Sequence, residues 1–381
     1  MKKTLLLMVV ALMSVFTVNA QNEQFVSTTP SNKNVVLEEY TGINCGYCPD
    51  GHKIANQIMD SHPGRVFVIN VHAGGYAANT YTTQFGNALA NQTNLDGYPS
   101  GTVNRHVFSN GITALNRGSW TNAANTILNQ SSPVNIAARG TLDWSTRELN
   151  ITVQLYYTSA EANATNKLNI AIIQDNVIGS QSGSSLNPAQ VVGSQYRHMH
   201  MLRHLITGQW GEDVTPTTAG SFVEKTYTYT IPASLGSPNA IAAKLEDLQF
   251  IAFVAQGNQE ILTGCEVEIE NVNMPALSPR LDGVANVEIL NCASEGAVKA
   301  TVANVGSDAL TALTFEYSVA NGAPQTYQWT GNIASMQSSE IQLPNFNINT
   351  NTNQVIKVKI TNANGTAFET AELLHEQCFS H

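Results

Sequence analysis

The sequence predicts a multidomain chain, an α/β unit followed by two all-β units. Three observations carry this. An apolar run, Val35 to Leu37, leads into two cysteines separated by two residues, and helical periodicity follows them. After Pro133 the hydrophobic pattern switches to period two, the signature of strands with one buried face. A linker from Asn273 to Gly283, with Pro275 and Pro279, then precedes a further set of short alternating segments. At 381 residues the chain is long for one core. Its charged fraction is only 12%, with Asn, Thr, Ser and Gly in place of charge, a composition that suits sheet and loop better than long helices.

The first twenty residues read as an export signal. Lys2 and Lys3 precede an apolar stretch from Leu5 to Val18, and Val18-Asn19-Ala20 forms a small-residue cleavage site. The stretch is shorter than the ~20 apolar residues a membrane span needs, and no later segment supplies one, so no transmembrane segment is expected in the mature chain. No cysteine stands at the cleavage point, so a lipid anchor is not expected there. With the signal removed, 16 basic residues face 28 acidic ones. Basic runs are absent, which argues against nucleic acid as a partner.

Residues 21–34 are polar and read as a flexible leader. The α/β unit is expected over 35–131. Val35 to Tyr40 is its first strand, and Ile54, Ala55, Ile58 and Met59 mark a helix that the second cysteine begins. Val66 to Val71 reads as a parallel strand buried on both faces. A short helix with Phe85 and Leu89 on one face and a short strand from Thr102 to His106 follow. Trp120, Ala123, Ala124, Ile127 and Leu128 then give the clearest helical stripe in the chain, stopped before Pro133.

A middle β-sandwich is expected over 132–275. It opens with a hairpin of Val134, Ile136 and Ala138 against Leu149, Ile151, Val153, Leu155 and Tyr157, and continues with strands near 168–173, 223–231, 248–254 and 267–269. The stretch from Gly179 to Trp210 is too long for an ordinary connection and reads as a functional loop. Residues 276–381 are expected to form a second sandwich, of immunoglobulin-like type.

The chemistry concentrates in Cys45 and Cys48. A thiolate attacks disulfides, and the partial positive charge at a helix N-terminus lowers a cysteine pKa from its usual ~8.5. Cys45 is therefore the expected nucleophile and Cys48 the resolving thiol. Pro49 suits the first helical turn, where a missing N–H costs little. As a structural staple the pair is poor, because closing so short a loop restricts the unfolded chain little. An inactive pair and half of a zinc site with His52 are the other readings, although zinc needs two more ligands and none follow nearby.

Five cysteines leave three beyond this pair, Cys265, Cys292 and Cys378. A Cys292–Cys378 disulfide tying the ends of the last unit leaves Cys265 free and buried, and a Cys265–Cys292 pairing is the alternative. His198 and His200 alternate within His-Met-His-Met, a spacing that can hold a soft metal, but half-exposed strand histidines are the commoner meaning. They are weak metal candidates, and no metal or other cofactor is otherwise called for.

Glu38-Glu39-Tyr40-Thr41-Gly42, Cys45-Gly46-Tyr47-Cys48 and Gly97-Tyr98-Pro99-Ser100-Gly101 resemble a thioredoxin-fold domain, and the cysteine tetrapeptide is similar to that of periplasmic disulfide isomerases. With Gln174-Asp175-Asn176 and Tyr196 to Arg203 added, the chain resembles the twenty-eight-kilodalton outer-membrane-protein-related family of Bacteroides-type bacteria, which is exported and outer-membrane-associated.

The resemblance implies a thioredoxin-like domain ahead of the two β-sandwich modules read from the alternating pattern. It implies a cis Pro99 facing the cysteines, with Tyr98 and Pro99 docking substrate strands, and a trans turn proline is the alternative. It also implies that Glu39, six residues before Cys45, relays protons to Cys48. In a strand one of Glu38 and Glu39 faces the core, or both sit at an exposed strand end. The activity implied is a thiol-disulfide oxidoreductase or isomerase acting on protein thiols or disulfides, in the periplasm or at the outer membrane or cell surface. The alternative is a non-enzymatic surface binding or adhesion protein with a vestigial head, taking an envelope protein or glycan. Asn44 stands where thioredoxin has a tryptophan.

Overall fold

The computed structural model describes residues 23–108, 111, 113–286, 295–320, 322–347 and 354–377. The signal segment, Cys292 and Cys378 lie outside the described residues. The described chain is mostly β strand, with few helices and several sheets.

Strands β1 (Val35–Thr41) and β2 (Val66–His72) pair in parallel, with helix α1 (Cys48–Ser61) as the crossover between them. Every residue of both strands is buried, which is why their sequences read as continuous runs rather than alternations. Helix α2 (Gly86–Thr93) follows, and then β3 (Ser100–Val103) lies antiparallel on the other edge of β1 with β4 (Ala114–Asn116) antiparallel beside it. Of these four strands β1 and β2 run parallel, as expected for the strand from Val66, while β3 and β4 add to the sheet antiparallel. Helix α3 (Trp120–Leu128) buries the whole of its predicted stripe, and Gly101 lies so close under the Trp120 indole that a Cβ there would strike the ring.

The predicted hairpin forms from β5 (Val134–Asp143) and β6 (Glu148–Tyr157), paired along their full lengths. Next come β7 (Asn166–Gln174), then β8 (Val177–Gly179), β9 (Val191–Val192) and β10 (Gln195–His198), which form a small separate sheet in the order β8-β10-β9. They are followed by β11 (Met201–Leu205), β12 (Glu212–Val214), β13 (Phe222–Thr230), the two-residue pair β14 (Ser234–Leu235) and β15 (Ile241–Ala242), and the long neighbours β16 (Leu248–Ala255) and β17 (Ile261–Val272).

These strands do not stop at the edge of the first unit. One twelve-stranded sheet runs β13-β6-β5-β17-β16-β7-β11-β2-β1-β3-β4, with β12 also on β7. The joint is β11, paired with β7 on one side and with β2 at Met201 to Asn70 on the other. The stretch read as one long functional loop thus contributes a strand to the middle of the sheet.

Alternate residues of β7 enter two cores, as the period of a strand requires. Leu168, Ile170 and Ile172 pack with Val134, Leu149, Val153, Phe250 and Ala252, so the sheet folds over itself at β17. Ala171 and Ile173 instead join Val36, Tyr40, Ile69, Phe253 and the α2 side chain Leu89. A third core, Val35, Leu37, Val66 and Val68 with Ala55, Ile58 and Trp120, lies under α1 and α3.

Beyond Ser278, the described residues form three antiparallel sheets, of three, two and five strands, around a core that includes Val298, Val302, Phe315, Ile356 and Ile360. Arg280 anchors this unit to the large sheet through Asp247 at 2.9 Å and Glu246 at 3.3 Å.

Candidate functional site

Cys45 and Cys48 form a disulfide, and Cys48 is the first residue of α1. Cys45 N–H donates to the Gly42 carbonyl at 3.0 Å in the turn leading into the pair, Cys48 N–H donates to the Cys45 carbonyl at 3.3 Å across the turn between them, and Pro49 occupies the first helical turn. Asn44, Gly46 and Tyr47 of this loop are exposed, and Arg117 lies over the Tyr47 ring while its Nε donates to Asp50 at 2.6 Å. The Tyr98–Pro99 peptide is cis. Pro99 packs on α1 at Gly51, where an added Cβ would meet both the Pro99 ring and Oε1 of Glu39. Cysteine helix, acid and proline therefore converge within one turn of α1. Tyr98 packs its ring on Tyr76 at 5.3 Å.

Glu38 and Glu39 are both buried, so the expectation of one glutamate in the core, or of both at an exposed strand end, is corrected. Strand β1 is covered on both faces, and each acid meets a different environment. Glu38 receives a two-pronged ion pair from Arg105, at 2.7 and 2.6 Å, and the Thr102 hydroxyl at 3.0 Å. Arg105 lies in turn over the rings of Trp210 and Phe253, at 5.8 and 5.6 Å from their centroids. Glu39, fully buried, accepts no protein hydrogen bond at either oxygen. Burial pushes its carboxyl well above the ordinary carboxylate range, against a smaller opposing pull from Arg117.

His52 lies on α1 one turn after Cys48, with Nε2 3.8 Å from Oε1 of Glu39 and 2.9 Å from the Thr41 hydroxyl. Its Nδ1 is 3.0 Å from the Tyr196 hydroxyl, which also accepts from Asn187 Nδ2 at 3.1 Å. Burial lowers its pKa to about 3, with smaller contributions from His198 and His200. His198 points into the same cluster, its ring 5.4 Å from that of His72 and 5.1 Å from that of Tyr196. His200 turns the other way, with Nδ1 3.3 Å from Asp175. The two weak metal candidates therefore do not share a face, because His200 adopts a positive φ of 53° that breaks the strand alternation. Among the described residues no group of three or more His, Cys, Asp or Glu is arranged to hold a metal ion.

The segment before β10 folds over the cysteine loop. Gln181 Nε2 donates to the carbonyls of Cys45 at 3.0 Å and Gly42 at 3.3 Å, and Ser182 N–H donates to Ile43 at 2.8 Å. Beneath this strap Cys45 is only 1% exposed and Cys48 not at all. Sequence reasoning marked the stretch as functional but had no signal for its destination. It also missed Arg105 and Tyr196, and it weighed His52 only as a zinc ligand, although its position four residues after Cys48 puts both on one helix face. Cys265 carries a free thiol on β17, half-buried rather than fully buried as expected.

Residues 86–279, half of the chain, match the family described as outer membrane protein Omp28. The chain belongs to the Omp28 family. A search of curated proteins finds no match. Among solved structures, HBP35 of Porphyromonas gingivalis is similar at 17% identity and a TM-score of 0.51, covering 91% of this chain and 99% of its own, which supports a shared fold. A domain of the outer membrane lipoprotein Omp28 from Porphyromonas gingivalis is also similar, at 17% identity over 37% of this chain and 90% of that one, with a TM-score of 0.25. This Omp28-family chain is an exported, outer-membrane-associated protein, and no helix among its described residues is long and apolar enough to cross a membrane.

Proposed function

We propose that this Omp28-family protein is an envelope thiol-disulfide oxidoreductase or isomerase, built as a thioredoxin-like unit with two β-sandwich modules, the last tied by Cys292 and Cys378. The observation that carries the reading is the Cys45–Cys48 disulfide at the start of α1, with Glu39 and Pro99 packed against the same turn. In the reduced protein the Cys45 thiolate attacks a substrate disulfide, forming a mixed disulfide and releasing one substrate thiolate. Glu39, as carboxylate, takes the proton of Cys48. The Cys48 thiolate then attacks the Cys45 sulfur, which frees the second substrate thiol and leaves the protein disulfide; two electrons pass to the substrate. Tyr98 and Pro99 dock the substrate strand. The β modules present this head at the envelope or select its substrates.

The experiment compares insulin reduction and scrambled-ribonuclease refolding by the intact protein and by Cys45→Ser. Faster turnover by the intact protein supports exchange, and equal background rates remove it. One observation favours the second reading, a surface binding or adhesion protein with an inactive head: Cys45 is covered by the strap. On that reading reduced Cys45 stays as slow to alkylate as a buried thiol even with substrate protein present.

A further inference from the structure

The hydrogen bonds around His52 favour one placement of its proton. The Tyr196 hydroxyl accepts from Asn187 Nδ2 at 3.1 Å, so its own hydrogen is free to be donated, and His52 Nδ1 at 3.0 Å is the acceptor within reach. A neutral imidazole that accepts at Nδ1 carries its hydrogen on Nε2. That N–H faces the Thr41 hydroxyl at 2.9 Å, with the Glu39 carboxyl at 3.8 Å. The positive end of the imidazole dipole is thereby turned towards a buried acid that has no hydrogen bond of its own.

We propose that Tyr196 and Asn187 are positioning residues, which hold His52 with its proton on Nε2 and through it set the proton affinity of Glu39. The inference rests on the thiol-exchange reading for its purpose, because Glu39 is the acid that serves Cys48 there. His52 remains neutral at physiological pH, its pKa lowered to about 3 by burial. The other titratable or charged groups that interact with the pair are Arg117 with Glu39, His198, His200 and His72 with His52, and Tyr196 on the far side of the imidazole. Asn187 and Tyr196 both belong to the excursion that covers the cysteine loop. Displacing the strap to uncover Cys45 therefore loosens the tautomer as well, so access to the sulfur and the acidity of Glu39 are linked.

The test follows the Glu39 carboxyl directly, by carboxyl-carbon NMR of the full-length oxidised protein across a pH titration, with Glu39→Gln assigning the signal. In Tyr196→Phe the imidazole loses its donor at Nδ1 and can turn its Nε2 lone pair towards the acid. The Glu39 midpoint is expected to rise by about one unit, ~tenfold in proton affinity. Asn187→Ala, which keeps the hydroxyl but frees its orientation, is expected to move it the same way by less. Midpoints that stay in place or fall in correctly folded Tyr196→Phe and Asn187→Ala overturn the proposal. Should Tyr196→Phe fail to fold, the Asn187→Ala midpoint decides alone. The pH profile of insulin reduction is measured beside it: a wild type no faster than Cys45→Ser sinks the exchange reading, while the NMR titration still decides the role of Tyr196.

Discussion

Gly183 lies against the backbone of Gly46, so close that a Cβ on Gly183 would strike the Gly46 carbonyl oxygen, and it adopts φ of +70°. Two independent constraints therefore demand glycine at the point where the strap crosses the cysteine loop: the space available and the left-handed backbone. Gly183→Val violates both and is expected to lift the strap. Reduction of the Cys45–Cys48 disulfide by a small thiol, followed by alkylation and mass spectrometry, should then quicken on the order of tenfold, the factor that about 1.4 kcal/mol represents. An unchanged rate would mean that the strap does not limit access to the sulfurs.

The Glu38–Arg105 pair is fully desolvated, with both side chains at 2% exposure. Removing one partner leaves the other charge buried without compensation. Glu38→Ala is expected to cost about 3–5 kcal/mol in denaturant unfolding. The double variant Glu38→Leu, Arg105→Met should recover much of that loss. A single-variant cost below about 1 kcal/mol would show that water reaches Arg105 readily.

Acid should destabilise the folded protein through its buried histidines. The folded-state pKa is lowered to about 3 at His52 and about 4 at His198, both chiefly by burial, against ~6.5 in the unfolded chain. Below pH ~6.5 the unfolded state binds protons that the folded state refuses. The stability these neutral imidazoles allow is therefore complete above ~6.5 and lost as pH falls towards 4. Glu39 acts in the opposite sense, since its raised pKa makes burial costlier as pH rises. Unfolding free energy measured from pH 7 to pH 4 should fall by a few kcal/mol, on the order set by the two shifts. His198→Gln should flatten that slope, and an identical slope would place the acid sensitivity elsewhere.

Cys265 should be inert. Burial pushes its thiol up to about 12, helped by the nearby carboxylates Glu268 and Glu266. Because only the thiolate reacts, iodoacetamide near neutral pH should label reduced Cys45 well before Cys265. Mass spectrometry showing equal labelling would contradict this.

Local pattern was enough for much of the framework. The stripe from Trp120 to Leu128 announced α3, period two announced the β5–β6 hairpin, and the apolar run from Val66 announced a strand covered on both faces. The site was partly legible too, because a cysteine pair followed by helical spacing requires little beyond its own neighbours. Glu39 was named as the candidate acid with its burial left open, and the fate of Glu38 was hidden: nothing in a strand pattern shows that an arginine 67 residues away will arrive with two hydrogen bonds.

The sequence by itself determined the family, the export signal as an expectation, the helices α1 and α3 with the strands β1, β2 and the β5–β6 hairpin, and the cysteines at the head of α1. Tertiary structure alone decided that β11 joins the first strands to those that follow in one sheet, and that Gln181 to Tyr196 closes over Cys45 and reaches His52. The physical reason is range. Periodicity and turn chemistry act over a few residues, whereas the contacts that shape this site join residues more than a hundred positions apart, such as Gln181 with Cys45, and only the packed chain brings them together.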